Sequence, residues 1–183
     1  MANTYKIYTG AGHIQDGDYL YVKFVGSTKS GSPIKIELLR ALPTSNINLS
    51  FVEKNEVVPE FVFEGVYQDD KLAAGDRTEP WKMTCQEGLD ANGQIVARSG
   101  TLYLGTTDED AQPAGLLRGG CVFSVERNIR AINADDDPGL VEGRVDYDEA
   151  KPKLTAKSLQ WLSNFKRFYA GIKEVPNAEA PSA

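Results

Sequence analysis

A single histidine, His13, and two cysteines, Cys85 and Cys121, are all that 183 residues supply of the side chains most used in metal centres and activated nucleophiles. One imidazole cannot complete a zinc site of three or four protein ligands, and two thiols are too few for a cysteine-based one. A histidine works as a general base only beside a nucleophile and an orienting partner, and no Gly-x-Ser-x-Gly elbow occurs. His13, in Gly10-Ala11-Gly12-His13, reads as a loop residue. The same glycines lack the third glycine and the helix of a dinucleotide-binding turn, and there is no Gly-Lys-Ser/Thr phosphate loop. These absences leave no catalytic residue, no metal ligand set and no cofactor to name.

Long apolar runs are also missing. No stretch approaches the roughly 18 apolar residues of a membrane span. Met1-Ala2-Asn3-Thr4-Tyr5 has neither the basic nor the apolar region of an export signal. The expectation is a product made in the cytoplasm with no membrane partner, its two thiols free and buried. Positive charge is in deficit: 20 basic against 26 acidic residues give a formal charge of −6. That argues against general binding of nucleic acid through its phosphates. Lys151, Lys153, Lys157, Lys166 and Arg167 form the one basic concentration, and they read as the solvated face of a helix. Asp108-Glu109-Asp110 and Asp135-Asp136-Asp137 are consecutive acids without the alternating oxygen-ligand spacing of a calcium loop, so they read as solvated loops.

What the chain has in quantity is period-2 alternation. Tyr5 to Tyr8 and Tyr19 to Val25 are strand-like, and Ile34, Ile36 and Leu38 alternate with Lys35 and Glu37. Ile47, Leu49 and Phe51 alternate with Asn46, Asn48 and Ser50; Phe61 and Phe63 alternate with Val62 and Glu64. The segment 45–67 therefore predicts two paired strands joined by the charged Glu53-Lys54-Asn55-Glu56, with Pro59 at an edge, bulge or bend. Trp81 to Cys85 alternates again, Gly88 to Gly93 breaks the pattern, and residues 94–97 and 101–104 predict a hairpin turning near Ser99-Gly100. Cys121 to Val125 predicts a strand, Asn133 to Gly139 a turn, and Val141 to Tyr147 a weaker strand. One segment departs from this period. Leu154, Trp161, Phe165, Phe168 and Ile172 share a helical face, Pro152 precedes them, and Gly171 and Pro176 close the segment. They predict a helix over about 154–172. The chain thus reads as one β-rich domain over 1–173, a β-sandwich or small barrel with a flanking C-terminal helix, and a flexible tail over 174–183.

Within this pattern, Pro33-Ile34-Lys35-Ile36-Glu37, Ser45 to Phe51, Val52 to Val58, Phe61 to Tyr67 and Glu79-Pro80-Trp81-Lys82-Met83 together give residues 33–86 a recognisable style. The region resembles the major tail tube proteins of long-tailed bacteriophages. The resemblance covers about a third of the chain. It implies a structural virion protein made in the host cytoplasm, with six copies forming a ring and rings stacking into a hollow tube. The implied partners are other copies of the chain, other tail proteins and DNA passing without sequence recognition. By the same resemblance the polar loop with Gln68, Asp69, Asp70, Lys71, Asp76, Arg77 and Glu79 would bridge successive rings. Asn46, Asn48, Ser50 and Glu64 would lie on strands facing a neighbour or the lumen. Two other readings stay open: a different phage component (head decoration, head–tail connector or tail terminator), and a carbohydrate-binding β-sandwich using Trp81, Trp161, Tyr67 and Tyr103 as a stacking platform.

Overall fold

Alternating β-branched and aromatic residues favour a pleated sheet that buries one face and wets the other. The computed structural model describes residues 5–28, 31–51, 56–85, 97–132, 142 and 145–178. Among them the chain forms β1 (Tyr5–Gly10), β2 (Leu20–Thr28), β3 (Pro33–Pro43), β4 (Glu60–Gly65), α1 (Asp69–Ala73) and β5 (Trp81–Cys85). There follow β6 (Ala97–Gly105), β7 (Gln112–Pro113), β8 (Leu117–Ala131), β9 (Val145–Ser158), α2 (Phe165–Phe168) and β10 (Ile172–Ala178). One sheet runs β7-β6-β2-β3-β4-β9-β8, with β5 pairing the first half of β3, and β1 pairs β10 in a separate two-stranded sheet. Every pairing is antiparallel. The fold is mainly β with a short helix near the C-terminal end, as the alternation predicts.

The large sheet curls until β6 and β8, far apart in pairing order, run close together. Its inner face carries Leu20 and Val22, Leu38 and Ala41, Phe61 and Phe63, Leu102 and Leu104, and Leu154 and Ala156 in one apolar cluster. Trp161, Phe168 and Tyr169 fill the remaining space. The Phe168 ring stacks on Phe61 with centroids 4.0 Å apart, and Tyr169 meets the same ring edge-on at 5.3 Å. Each large side chain buried this way contributes on the order of 1.5–3 kcal/mol.

Four expectations need correction. The predicted helix over 154–172 shrinks to α2, preceded by a single 3-10 turn at Leu162–Asn164. The stretch before it belongs to β9, where Ala150, Pro152, Leu154 and Ala156 are buried and Lys151, Lys153, Thr155 and Lys157 point outward. Burial of that period-2 face outweighs the helical spacing of the aromatics, which reach the core from a turn instead. The predicted flexible tail starts too early, because 174–178 lies in β10 and pairs with β1; residues 179–183 lie outside those described.

The strand over 47–51 does not form. The β3–β4 ladder ends at Pro43–Phe63, and the Val62 amide donates to the Ser45 hydroxyl rather than to a ladder carbonyl. A side chain that takes a ladder partner ends the strand. Leu49 still packs on the core, while Ile47 and Phe51 are exposed.

The hairpin near Ser99-Gly100 does not form either, and β6 runs straight through it. Gly100 pairs with Gly26, and the Phe24 ring lies across it, where a Cβ would come within 2.1 Å of the ring. Glycine here makes room for an aromatic ring and does not mark a turn. The Gly88–Gly93 break and the Asn133–Gly139 turn lie outside the described residues.

The Phe168→Ala variant removes the ring that joins β4 to the C-terminal segment. It should lose about 3–5 kcal/mol of unfolding free energy, measured as a shift of the urea midpoint at unchanged slope.

Candidate assembly surface

The most exposed feature of the sheet is its β8 end. Over Lys153–Lys157, β9 is flanked by β4 on one side and β8 on the other. The β4 ladder stops at Lys153, beside Pro152, which has no N–H to donate. From Val125–Pro152 to Ala131–Val145 the pair β8–β9 continues as a ribbon of roughly 20 Å, with no third strand beside it among the described residues. Over Cys121–Ala131 β8 pairs with β9, and it has no other ladder partner among the described residues. Val122 and Ile129 are 65% and 61% exposed, and Ile132 and Val145 are also open to solvent.

The base of the ribbon is braced on the body. Arg127 reaches Glu79 at 3.3 Å and lies over the Trp81 ring at 5.9 Å, and Trp81 packs against Phe123 at 5.4 Å. The outer face of β4, β9 and β8 is charge-matched. Lys157 pairs with Glu60 at 3.4 Å, Lys153 with Glu126 at 3.3 Å and Lys151 with Glu149 at 3.1 Å. These lysines, read from sequence as a helix face, are a strand face, and each sits beside a glutamate.

The residues expected to bridge rings occupy a more ordered segment than a loop. Gln68 precedes α1, which holds Asp69, Asp70 and Lys71. The Thr78 hydroxyl, and then the Thr78 amide at 2.9 Å, donate to Asp76 and hold its carboxyl below the usual range. Arg77 borders a hollow of about 660 Å³ together with Glu64 and the 148–151 stretch of β9. Glu79 accepts from the Trp81 indole N–H and pairs with Arg127, so it clamps the segment to the ribbon. Asn46, Asn48 and Ser50 lie exposed on irregular chain, not on a strand. Asn48 and Ser50 line a second hollow of about 560 Å³ beside Arg118. Of the four residues expected on strands facing a neighbour or the lumen, Glu64 alone is in a strand, opposite Lys153.

The outer face of β2 and β3 holds a buried carboxylate. Glu37 is 5% exposed and accepts the Tyr21 hydroxyl. Its second oxygen faces Lys35 Nζ at 3.1 Å as an ion pair outside hydrogen-bonding alignment. Burial, and then Glu37 itself, push the Tyr21 phenol far above its ordinary value, so it stays a donor. Lys23, between the Tyr21 and Tyr103 rings, binds Asp108 and pins the loop after β6 to the sheet. Within that loop Asp110 accepts the hydroxyl of Thr106 and then the amides of Thr107 and Thr106, and these donors hold its carboxyl at about 2.

His13 lies exposed in a bend, as expected. Cys85 is exposed, contrary to the reading of two buried thiols, because it ends β5 on the solvent side. Cys121 is half-buried, and burial pushes its thiol up to about 12. Among the described residues no three His, Cys, Asp or Glu side chains are placed to hold a metal ion; Asp135, Asp136 and Asp137 lie outside them. No helix is long and apolar enough to cross a membrane among those residues. Trp161 is buried with its indole N–H on the Val57 carbonyl, and Trp81 is half-buried beside Glu79, Phe123 and Arg127.

Sequence reasoning missed the ribbon. Residues 126–131 are wet on both faces and carry no alternation to betray a strand. The signal that would have found β9 is the small or apolar series 150, 152, 154, 156 against the lysines between them. Comparison of the chain with family models, with curated proteins and with solved structures finds no match in any of the three.

Asp110 titrates below an ordinary carboxyl, so its contribution is complete above about pH 4 and is lost only as pH falls through about 2. Its NMR titration should therefore show a midpoint near 2. The Thr106 and Thr107 amides should keep their shifts down to that pH.

Proposed function

We propose that this chain is a self-assembling structural subunit, and that its assembly is the hollow tail tube of a long-tailed bacteriophage. The observation that carries the reading is β8, the last strand of the sheet order, which over Cys121–Ala131 has β9 as its one ladder partner among the described residues and exposes apolar side chains. Soluble monomers blunt such edges or cover them. A two-stranded ribbon is also marginal by itself and gains stability when a further strand joins it. Copies that continue one another's sheets close these edges, and heterologous contacts of that kind generate rings.

The number six, the stacking of rings and the passage of DNA come from the resemblance of residues 33–86 to tail tube proteins. The charge pattern is compatible with passage. Lysines on the outer face of β9 are each matched by a glutamate, and the whole chain is acidic, so a passing duplex meets no net positive field. Inward packing of both tryptophans favours the assembly reading over sugar binding.

Negative-stain electron microscopy across a concentration series is the direct test. Hollow tubes or stacked rings are expected, and failure to find either at any concentration, with or without phage tail initiators, would sink the reading. Val122→Lys places a charge on the edge while changing stability by no more than about 0.5 kcal/mol. It should leave the circular dichroism spectrum intact and abolish tubes.

A further inference from the structure

The edge of β8 away from β9, which carries no ladder among the described residues, has a sequence that complements itself. We infer that, outside any larger assembly, two copies of this chain join by antiparallel pairing of β8 with β8 about a two-fold axis through Asn128. Opposed residues in such a pair have numbers that sum to a constant, so each possible axis fixes every contact. With the axis at Asn128, Glu126 of each copy stands opposite Arg130 of the other, giving two identical ion pairs on one face. Arg127 then lies opposite Ile129, Val125 opposite Ala131 and Ser124 opposite Ile132, which removes the exposed Ile129 and Ile132 from water.

Three other axes are worse. An axis at Glu126 sets two carboxylates against each other, and one at Arg127 sets two guanidinium groups against each other. An axis at Val122 would match Arg118 with Glu126, but Gly119 and Gly120 have φ of +83° and +81°. That backbone is not extended and cannot carry a ladder. From Val122 onward β8 pairs with β9 in unbroken register to Asn128, and the one later irregularity falls in the β9 partner, which steps from Glu149 to Tyr147. The groups invoked already have neighbours in their own chain, Glu126 with Lys153 and Arg130 with Asp148. The second copy extends those pairs into a row across the seam.

An isologous pair closes after two copies. Only the consequence of this rests on the function proposed above: a chain whose β8 is paired two-fold cannot offer that edge to a growing ring, so the dimer is an assembly-inert reserve.

The test uses the full chain. Asn128→Cys in a background of Cys85→Ser and Cys121→Ala places two thiols across the axis, at a separation that a disulfide spans. Mild oxidation should convert the protein to a covalent dimer, whereas the same change at Ser124 should not cross-link. In light scattering, Glu126→Arg and Arg130→Glu should each weaken the dimer about tenfold, and the double swap should restore it even if thermal stability falls. A monomer at all concentrations, cross-linking equally fast from both positions, or no rescue by the double swap would overturn the inference. A dimer that behaves as described in a chain that never forms tubes would uphold this inference and defeat the tube reading. Tubes from a chain that never dimerises would do the reverse.

Discussion

A single sheet has two faces and must bury one, and among the described residues no second large sheet lies against it. The solution is curvature. The strands from β6 to β8 wrap around their own apolar side chains, and the segment 161–169 returns to fill the centre with Trp161, Phe168 and Tyr169. The Phe61–Phe168 stack joins the middle of the sheet to the end of the chain, which makes this a contact of long sequence separation. The pairing of β1 with β10 follows from it, because Phe165 meets Tyr8 and the turn at 169–171 delivers Ile172 opposite Gly10.

Curvature also governs the edges. β8 runs close to β6, and over Cys121–Ala131 its one ladder partner among the described residues is β9. Pro152 is central to this arrangement. It is buried and fits the inner face, yet it cannot donate to β4, and the ladder with β4 ends beside it. One residue thereby separates the packed half of β9 from the projecting half. The braces at Arg127, Glu79 and Trp81 orient the ribbon base, so the open edge is presented from a rigid body. A preset edge loses less entropy on pairing than a disordered one does.

The outer face of the sheet shows how charge is managed when lysine and glutamate share a surface. On β9 and its neighbours the pairs are exposed and contribute little stability each, but they keep the face soluble and nearly neutral. Around Glu37 the same residue types are buried, and the carboxylate is retained only because Tyr21 donates to it and Lys35 lies beside it. Exposure, not composition, separates the two cases.

Much of the fold was legible in local pattern. Alternation located β2, β3, β4, β5 and the start of β8, because a half-buried strand must alternate wherever one face is dry. The sequence by itself also determined the acidic balance and the scarcity of histidine and cysteine. It could not determine where alternation stops meaning a strand. Residues 47–51 alternate and do not pair, because Ser45 captures the amide that the ladder needed. Gly100 looks like a turn and is a strand, because Phe24 from the adjacent strand covers it. The apolar residues from 154 to 172 satisfy a helical spacing, yet residues 154–158 belong to β9, because β4 and β8 lie on either side of them. In each case the deciding partner is remote in sequence. Only the tertiary structure, which brings that partner within hydrogen-bonding or van der Waals distance, could decide the outcome.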